Sequence, residues 1–530
     1  MKFPIKVALS SFFSLWFVVG NAICLEEMTL EEKVGQLFVV SFKGAECNND
    51  AVALVEKIGV GGVIYYTWAN DLSSAKKIFT LSSDLQKRAK IPLLILTDQE
   101  GGIVNRLQGE EFTLFPGNKA LAMTGDPLFA RQSSRIIGKE LKSVGINGNL
   151  APVVDVNSNP KNPIIGVRSF GEKVDTVIDF AEAALEGYQK AEVFSCIKHF
   201  PGHGDVEVDS HIALPILMKS KEDLNKVELA PFAALAKKAD MVMTAHLMVP
   251  SIDPNRCATT SKPILDILRK EIGFQGVIIT DSLTMEGGLS NSGSLEQEAI
   301  DALNAGCDIL LFGGKKLIGN VDQEITIEEI SCVYQRIIDG VRNGEISPQR
   351  LDEAVDRILT LKNKYPLESL SYVREKPSPE LAYQISSLAL EVSEKNKISS
   401  SSLAIIAPSL TQKSLENLTS KLECKEVTTL FFTGLAPTVQ EQEKAYEMTK
   451  GADHILFFSY NAWKNKSQEE LLRVVASLGK PMTQVILRDS LDESLIGSYC
   501  TVIKTFGPTR PSLEAVCDKI VQLTKRESVE

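Results

Sequence analysis

VDTVIDFAEAALEGYQKAEVFSCIKHFPGHGD, residues 174–205, holds three patterns in succession. Val174 to Ala191 repeats apolar residues at the helical period, Phe194 to Phe200 is a short and mostly apolar run of strand length, and from Pro201 the chain turns polar with glycines. The same order recurs on both sides. GQLFVVSF (35–42), VGGVIYY (60–66), PLLILTD (92–98) and NLAPVVDV (149–156) precede it, and MVMTAHL (241–247), GVIITDS (276–282) and DILLFGG (308–314) follow. Helical patterns such as SSAKKIFTLSSDLQKRA (73–89) and DPLFARQSSRIIGKELKSVG (126–145) lie between them. Strands alternating with helices imply a parallel sheet, and eight such units in roughly 300 residues predict a closed (β/α)8 TIM-type barrel rather than an open sheet.

The chain has 530 residues, more than one compact domain accounts for at about 150 residues each. Two further helical patterns, at 328–345 and 347–365, complete a barrel domain over residues 28–365. The stretch 366–401, with Pro366, Pro377, Pro379 and four consecutive serines, reads as a linker. Beyond it SLAIIAPS, TTLFFTG, HILFFSY, TQVILRD and TVIKTFG again alternate with helical patterns, which predicts a smaller αβα layer domain over 402–530. That domain has neither GxGxxG nor GxxxxGK[ST], so no nucleotide or phosphate site is indicated. Overall the fold class is α/β.

Composition narrows the partners. Lys and Arg number 57 against 68 Asp and Glu, a net charge of −11, which disfavours nucleic acid and anionic lipid. Residues 1–22 read as a signal peptide: Lys2 and Lys6 precede an uncharged apolar run, and Gly20 and Ala22 suit cleavage after Ala22. Export to the periplasm or cell envelope follows, with membrane attachment only if that segment is retained. The nine cysteines form no CxxC and do not read as a zinc site; Cys196, Cys307 and Cys332 sit in apolar patterns that predict buried free thiols.

Three of the five histidines, His199, His203 and His211, fall within thirteen positions, in a segment that begins where the fifth strand ends and continues as a polar, glycine-bearing loop. The C-terminal ends of barrel strands carry active sites. The same end of other strands offers Asp98, Gln99 and Glu100 after strand three, Asp155 and Arg168 after strand four, and Asp281 after strand seven. Taken alone, Asp281 also suits a helix cap. His199, His203, Asp205, Asp209 and His211 form an H-x3-H-x-D-x3-D-x-H pattern whose ligand types also suit a zinc or manganese hydrolase.

KHFPGHGD (198–205) followed by Asp209-Ser210-His211 resembles the hallmark of the exo-acting β-N-acetylglucosaminidases of glycoside hydrolase family 3. Asp98-Gln99-Glu100-Gly101-Gly102 with Arg106, Arg168-Ser169-Phe170-Gly171, and Thr280-Asp281-Ser282-Leu283-Thr284-Met285 resemble that family's other motifs, in its order, and the likeness spans about residues 28–365. The second domain resembles the C-terminal αβα domain of some members. The resemblance implies Asp281 as nucleophile, Asp209 and His211 as the acid/base dyad, and Asp98, Arg106, Arg168, Lys198 and His199 as the groups holding the terminal sugar. Some members carry a second acid after the nucleophile; this chain has Ser282.

These residue types suit the chemistry. A retaining glycosidase needs a carboxylate to attack the anomeric carbon and a proton donor that later activates water. An imidazole can give and take a proton near neutrality, and a neighbouring carboxylate orients it. His203 and Asp205 are expected to brace the loop. The reading is therefore a retaining exo-glycosidase, without metal or cofactor, that removes terminal β-linked N-acetylglucosamine from a glycan or muropeptide. Three alternatives stand beside it: a β-N-acetylglucosaminide phosphorylase, a metallohydrolase using the His/Asp loop, and a non-catalytic sugar-binding protein of the envelope.

Overall fold

The computed structural model describes residues 24–208, 213–285, 292–318, 321–367, 372–395, 398, 401–422, 424–497 and 500–525. The expected signal segment and the expected dyad, Asp209 and His211, lie outside the described residues.

Eight parallel strands form the first sheet: β1 (Phe38–Val40), β2 (Gly62–Tyr65), β3 (Leu94–Thr97), β4 (Gly148–Asn149), β5 (Phe194–Phe200), β6 (Met241–Thr244), β7 (Val277–Ile279) and β8 (Leu310–Phe312). Seven fall within the apolar runs, and β4 overlaps its run only at Asn149. The strands pair in sequence order, and β8 also pairs with β1, Phe38 opposite Leu310. Between β7 and β8 the Ile309 N–H donates to the Ile278 carbonyl at 3.0 Å and the Thr280 N–H to the Ile309 carbonyl at 3.0 Å. The sheet is thus closed. Strands covered by helices outside and by each other inside are apolar on both faces, which is why these segments run rather than alternate. Phe38 and Phe312, stacked at 5.2 Å between ring centroids, lock the β1–β8 seam.

β4 is shorter than its apolar run suggests. The ladder covers two residues and resumes as one bridge between Val153 and Lys198, because Pro152 in between has no N–H to donate. The β6–β7 connection carries an antiparallel pair, Met248–Val249 with Asp253–Cys257, that apolar periodicity did not announce.

At the N-terminal end of the barrel Asp308 is fully buried. It accepts from Arg350 Nη2 at 2.8 Å, Arg357 Nη1 at 3.1 Å, the Ile278 N–H at 2.9 Å and the Arg269 guanidinium. Asp240, just before β6, likewise takes the Ser195 N–H at 2.9 Å and pairs with Lys364.

The second sheet has six strands: β9 (Glu391–Ser393), β10 (Ser402–Pro408), β11 (Glu426–Phe432), β12 (His454–Ser459), β13 (Met482–Ile486) and β14 (Thr501–Lys504). Their order is β9-β14-β13-β12-β10-β11, with β9 antiparallel and the others parallel. Five were expected. The sixth, and a helix over Pro379–Ala389, stand in the stretch read as a linker. Pro379 starts that helix, where its missing N–H costs nothing, instead of breaking one. Tyr383 ties the helix to Asp518 of the helix Arg510–Lys525 at 2.7 Å, and Ala389 joins Ala120, Val167 and Phe506 in an apolar cluster between the domains.

All cysteines are free; Cys196 and Cys307 are buried, whereas Cys332 is exposed. On the helix Ile327–Arg342 the buried stripe runs through Ile330, Val333, Ile337 and Ile338, and Cys332 falls beside it. No helix among the described residues is long and apolar enough to cross a membrane.

Candidate active site

The mouth of the barrel at the strands' C-terminal ends opens on a cavity of about 370 Å³. All six described residues assigned to the site, Asp98, Arg106, Arg168, Lys198, His199 and Asp281, line it, although they come from four different strand ends. Tyr66, Trp68, Met243, Met285 and Leu311 supply apolar wall, with Trp68 stacked on Tyr66 at 5.3 Å.

The charged groups form one continuous rail. Arg106 Nη2 lies 3.6 Å from Asp98 Oδ2, and Lys198 Nζ, 2.8 Å from Asp98 Oδ1, is also 2.7 Å from Glu100 Oε1. Glu100 accepts from Arg168 through both oxygens, at 2.9 and 2.8 Å. Arg168 Nη2 then stands 3.4 Å from His199 Nε2, and His199 Nδ1 is 2.7 Å from Asp155 Oδ2. Burial opposes charge on Glu100, but Arg168 and Lys198 outweigh it and hold the carboxyl well below the usual range. Lys198, 2% exposed, is also desolvated, yet Asp98 and Glu100 keep its ammonium above the ordinary lysine value. Glu100, Arg168 and Lys198 are therefore charged across the neutral range.

Local sequence explains how the rail is assembled. Gly101 and Gly102 adopt φ of +87° and +60°, a turn that side chains resist, and send the chain back toward its own strand. Gln99 fixes the return: its Oε1 accepts from the N–H groups of Arg106 at 2.6 Å and Leu107 at 3.1 Å, while its backbone is held by Asn149 on β4. Arg106 thereby comes back over Asp98, its guanidinium 5.4 Å from the Tyr66 ring.

Asp281 leaves β7 into the cavity, with Oδ1 accepting from the Ser282 N–H at 2.7 Å. The Ser282 carbonyl takes His246 Nε2 at 3.0 Å; a carbonyl can only accept, so that nitrogen carries the proton. Ser282 Oγ donates to the Gly313 carbonyl. Asp281 is not the cap of the next described helix, Leu295–Ala305, which is capped by Ser294. Ser282 is buried, so the position that bears a second acid in some relatives is here a packed hydroxyl beside a carbonyl.

Two residues carry more than the sequence disclosed. Glu100 was visible as a polar neighbour of Asp98, but no spacing reveals that it grips Arg168 and Lys198 from 68 and 98 positions away. Asp155 accepts from the backbone N–H groups of His199 at 3.1 Å and His203 at 2.7 Å besides the His199 ring, and so shapes the whole exit of β5. Bracing by His203 runs through its backbone: the carbonyl takes Asn162 Nδ2 at 2.7 Å, while the ring lines the cavity and burial lowers its pKa to about 4. Asp205 pairs with Lys219 at 2.6 Å, and Lys219 with Glu228 at 2.6 Å, which ties together the described chain on the two sides of residues 209–212. Among the described residues no group of three or more His, Cys, Asp or Glu is arranged to hold a metal ion.

Residues 29–361 match the family described as Glycosyl hydrolase family 3 N terminal domain. Beta-hexosaminidase A of Pseudoalteromonas piscicida is 36% identical over 341 residues, 60% of this chain and 56% of that protein. The Beta-N-acetylglucosaminidase/beta-glucosidase of Cellulomonas fimi is 34% identical over 350 residues, 64% of this chain and 58% of that protein. The matches thus span little more than half the length of these two relatives. Among solved structures, a glycoside hydrolase family 3 beta-N-acetylglucosaminidase from Paenibacillus sp. str. FPU-7 superposes with a TM-score of 0.84 at 31% identity, covering 94% of this chain and 97% of that one. A closed barrel bearing four ordered motifs at one mouth, a second αβα domain, and a profile match over more than half the chain lead to one assignment: the chain belongs to glycosyl hydrolase family 3.

Proposed function

We propose that the protein is a retaining exo-glycosidase that releases a terminal β-linked N-acetylglucosamine. The observation that carries this reading is the meeting of Asp281 with the rail from Arg106 to His199 in one cavity of about 370 Å³, a volume that suits a single sugar and little more. Donors and acceptors on the rail match sugar hydroxyls, and Asp281 faces them as a carboxylate. The names of the Paenibacillus and Cellulomonas relatives support both the sugar and the transfer to water.

In the first step an Asp281 oxygen attacks the anomeric carbon, the bond to the leaving oxygen breaks, and that oxygen takes the proton of the His211 imidazolium. Asp209 orients the ring and favours its protonated form. In the second step neutral His211 takes a proton from water as that water attacks the same carbon and expels Asp281. Peptidoglycan fragments are the proposed natural substrate. Export to the cell envelope, proposed from residues 1–22, would place the enzyme beside them.

A 5-fluoro N-acetylglucosaminyl fluoride, which keeps the 2-acetamido group, should attach to the peptide containing Asp281, and the enzyme should release N-acetylglucosamine from chitobiose and muropeptides. Attachment elsewhere, with turnover retained in Asp281→Ala, would overturn the assignment.

A further inference from the structure

The loop that carries Arg168 is held from two sides. Within the barrel, Asn157 Oδ1 accepts from the Gly166 N–H at 3.1 Å, Asn162 Oδ1 accepts from Ile164 and Ile165 at 2.9 and 2.8 Å, and Asn118 donates to the Arg168 carbonyl at 2.7 Å. Gly166–Arg168 is a single 3-10 turn, and the N–H groups opening such a turn have no partner inside it. The Val167 N–H points instead at the second domain, where Asp489 Oδ1 accepts it at 3.3 Å.

Asp489 is built for that contact. It follows β13, is 6% exposed, and is set by its own N–H donating to Asn461 Oδ1 at 3.1 Å. Its approach is so close that a Cβ on Gly166 would lie 2.4 Å from Asp489 Oδ1, and Gly166 has φ of +44°. Lys464, also of the second domain, donates to the Pro163 carbonyl of the same loop at 2.8 Å. Ile164 and Ile165 of this loop line the cavity, and Arg168 is the next residue after the one Asp489 holds.

We propose that Asp489 is a positioning residue for Arg168, so that the sugar-holding wall of the barrel is completed from the second domain. The inference rests on the reading of Arg168 as a sugar ligand. Released at Val167, the turn still forms, but the guanidinium loses the fixed origin from which it reaches Glu100 and the substrate. An interaction made equally with substrate and transition state shows in KM more than in kcat.

The test compares Asp489→Ala, Asp489→Asn and Gly166→Ala in the full chain, with an aryl N-acetylglucosaminide as substrate and amide hydrogen exchange of residues 162–170 as a second readout. Asp489→Ala should raise KM about 10-fold and change kcat by less than about 3-fold. Exchange in that peptide should rise, and Asp489→Asn, which keeps the Oδ1 acceptor, should restore both. Gly166→Ala, which pushes the carboxylate away, should resemble Asp489→Ala and decides the matter if the latter does not fold. Wild-type KM and exchange in Asp489→Ala or Gly166→Ala would overturn the proposal, as would equal losses in Asp489→Asn. Failure of the wild type to cleave the substrate would instead refute the glycosidase reading, while the exchange data still decide whether the clamp exists.

Discussion

At the N-terminal end of the barrel Asp308 meets three guanidinium groups; at the C-terminal end Glu100 meets Arg168 and Lys198. Both carboxylates are buried, but their surroundings differ in kind. Asp308 also takes a strand N–H, and its arginines go on to bond main-chain oxygens: Arg269 those of Phe274 and Gly276, Arg350 that of Leu303. That cluster is sewn to the backbone. Glu100 and Asp98 hold their cations side chain to side chain, and a sugar hydroxyl can exchange with such a contact without moving a strand. Between Asp308 and Glu100, the carboxylate whose cations also end on the backbone is scaffold, and the one held side chain to side chain belongs to the site.

Asp308→Asn should give the largest effect, a loss of about 3–5 kcal/mol of stability, because it leaves three partly buried guanidinium groups short of a counter-charge. Denaturant unfolding checks it, and kcat of the folded protein should be unchanged. A kcat loss without a stability loss would break the comparison. Glu100→Gln should do the reverse, lowering kcat/KM by about 100-fold through a misplaced Arg168 and Lys198 while costing less stability than Asp308→Asn. Steady-state kinetics and unfolding on the same preparations separate the two ends.

The third effect concerns acid. Burial lowers His203 to about 4, with Asp155 opposing, and burial lowers His454 of β12 to about 4. Between pH 6.5 and about 4 the unfolded chain binds protons at these rings that the folded chain does not, so their contribution to stability is full above pH 6.5 and is lost as pH falls through that window. His454→Gln should flatten only the second domain's share of that decline. The barrel's share belongs to His203 at its C-terminal end, since none of the described histidines bonds to Asp308. Thermal unfolding from pH 7 to pH 4 checks the difference.

The barrel was legible because strands buried on both faces leave continuous apolar runs, and the mouth because histidine is scarce and three of five fall within thirteen positions from the end of one strand. What stayed hidden is long-range. Neither Glu100's grip on Arg168 nor Asp489's on Val167 has a local signature, since each joins residues that only the closed sheet or the domain contact brings together. Proline misled where it starts the helix Pro379–Ala389, because the same residue that ends one helix is favoured in the first turn of another.

Closure of the first sheet leaves it no open side, whereas the second sheet, among the described residues, ends in two strands paired on one side only. One is β9, three residues long, beginning with Glu391 and followed by Glu394; the other is β11, seven residues reading EVTTLFF, with charge only at its start. A long flat margin of unpaired main-chain groups is a template for another chain. Self-association of heated or concentrated protein should therefore begin on β11, and a lysine at exposed Thr429 should delay it in light scattering without altering turnover.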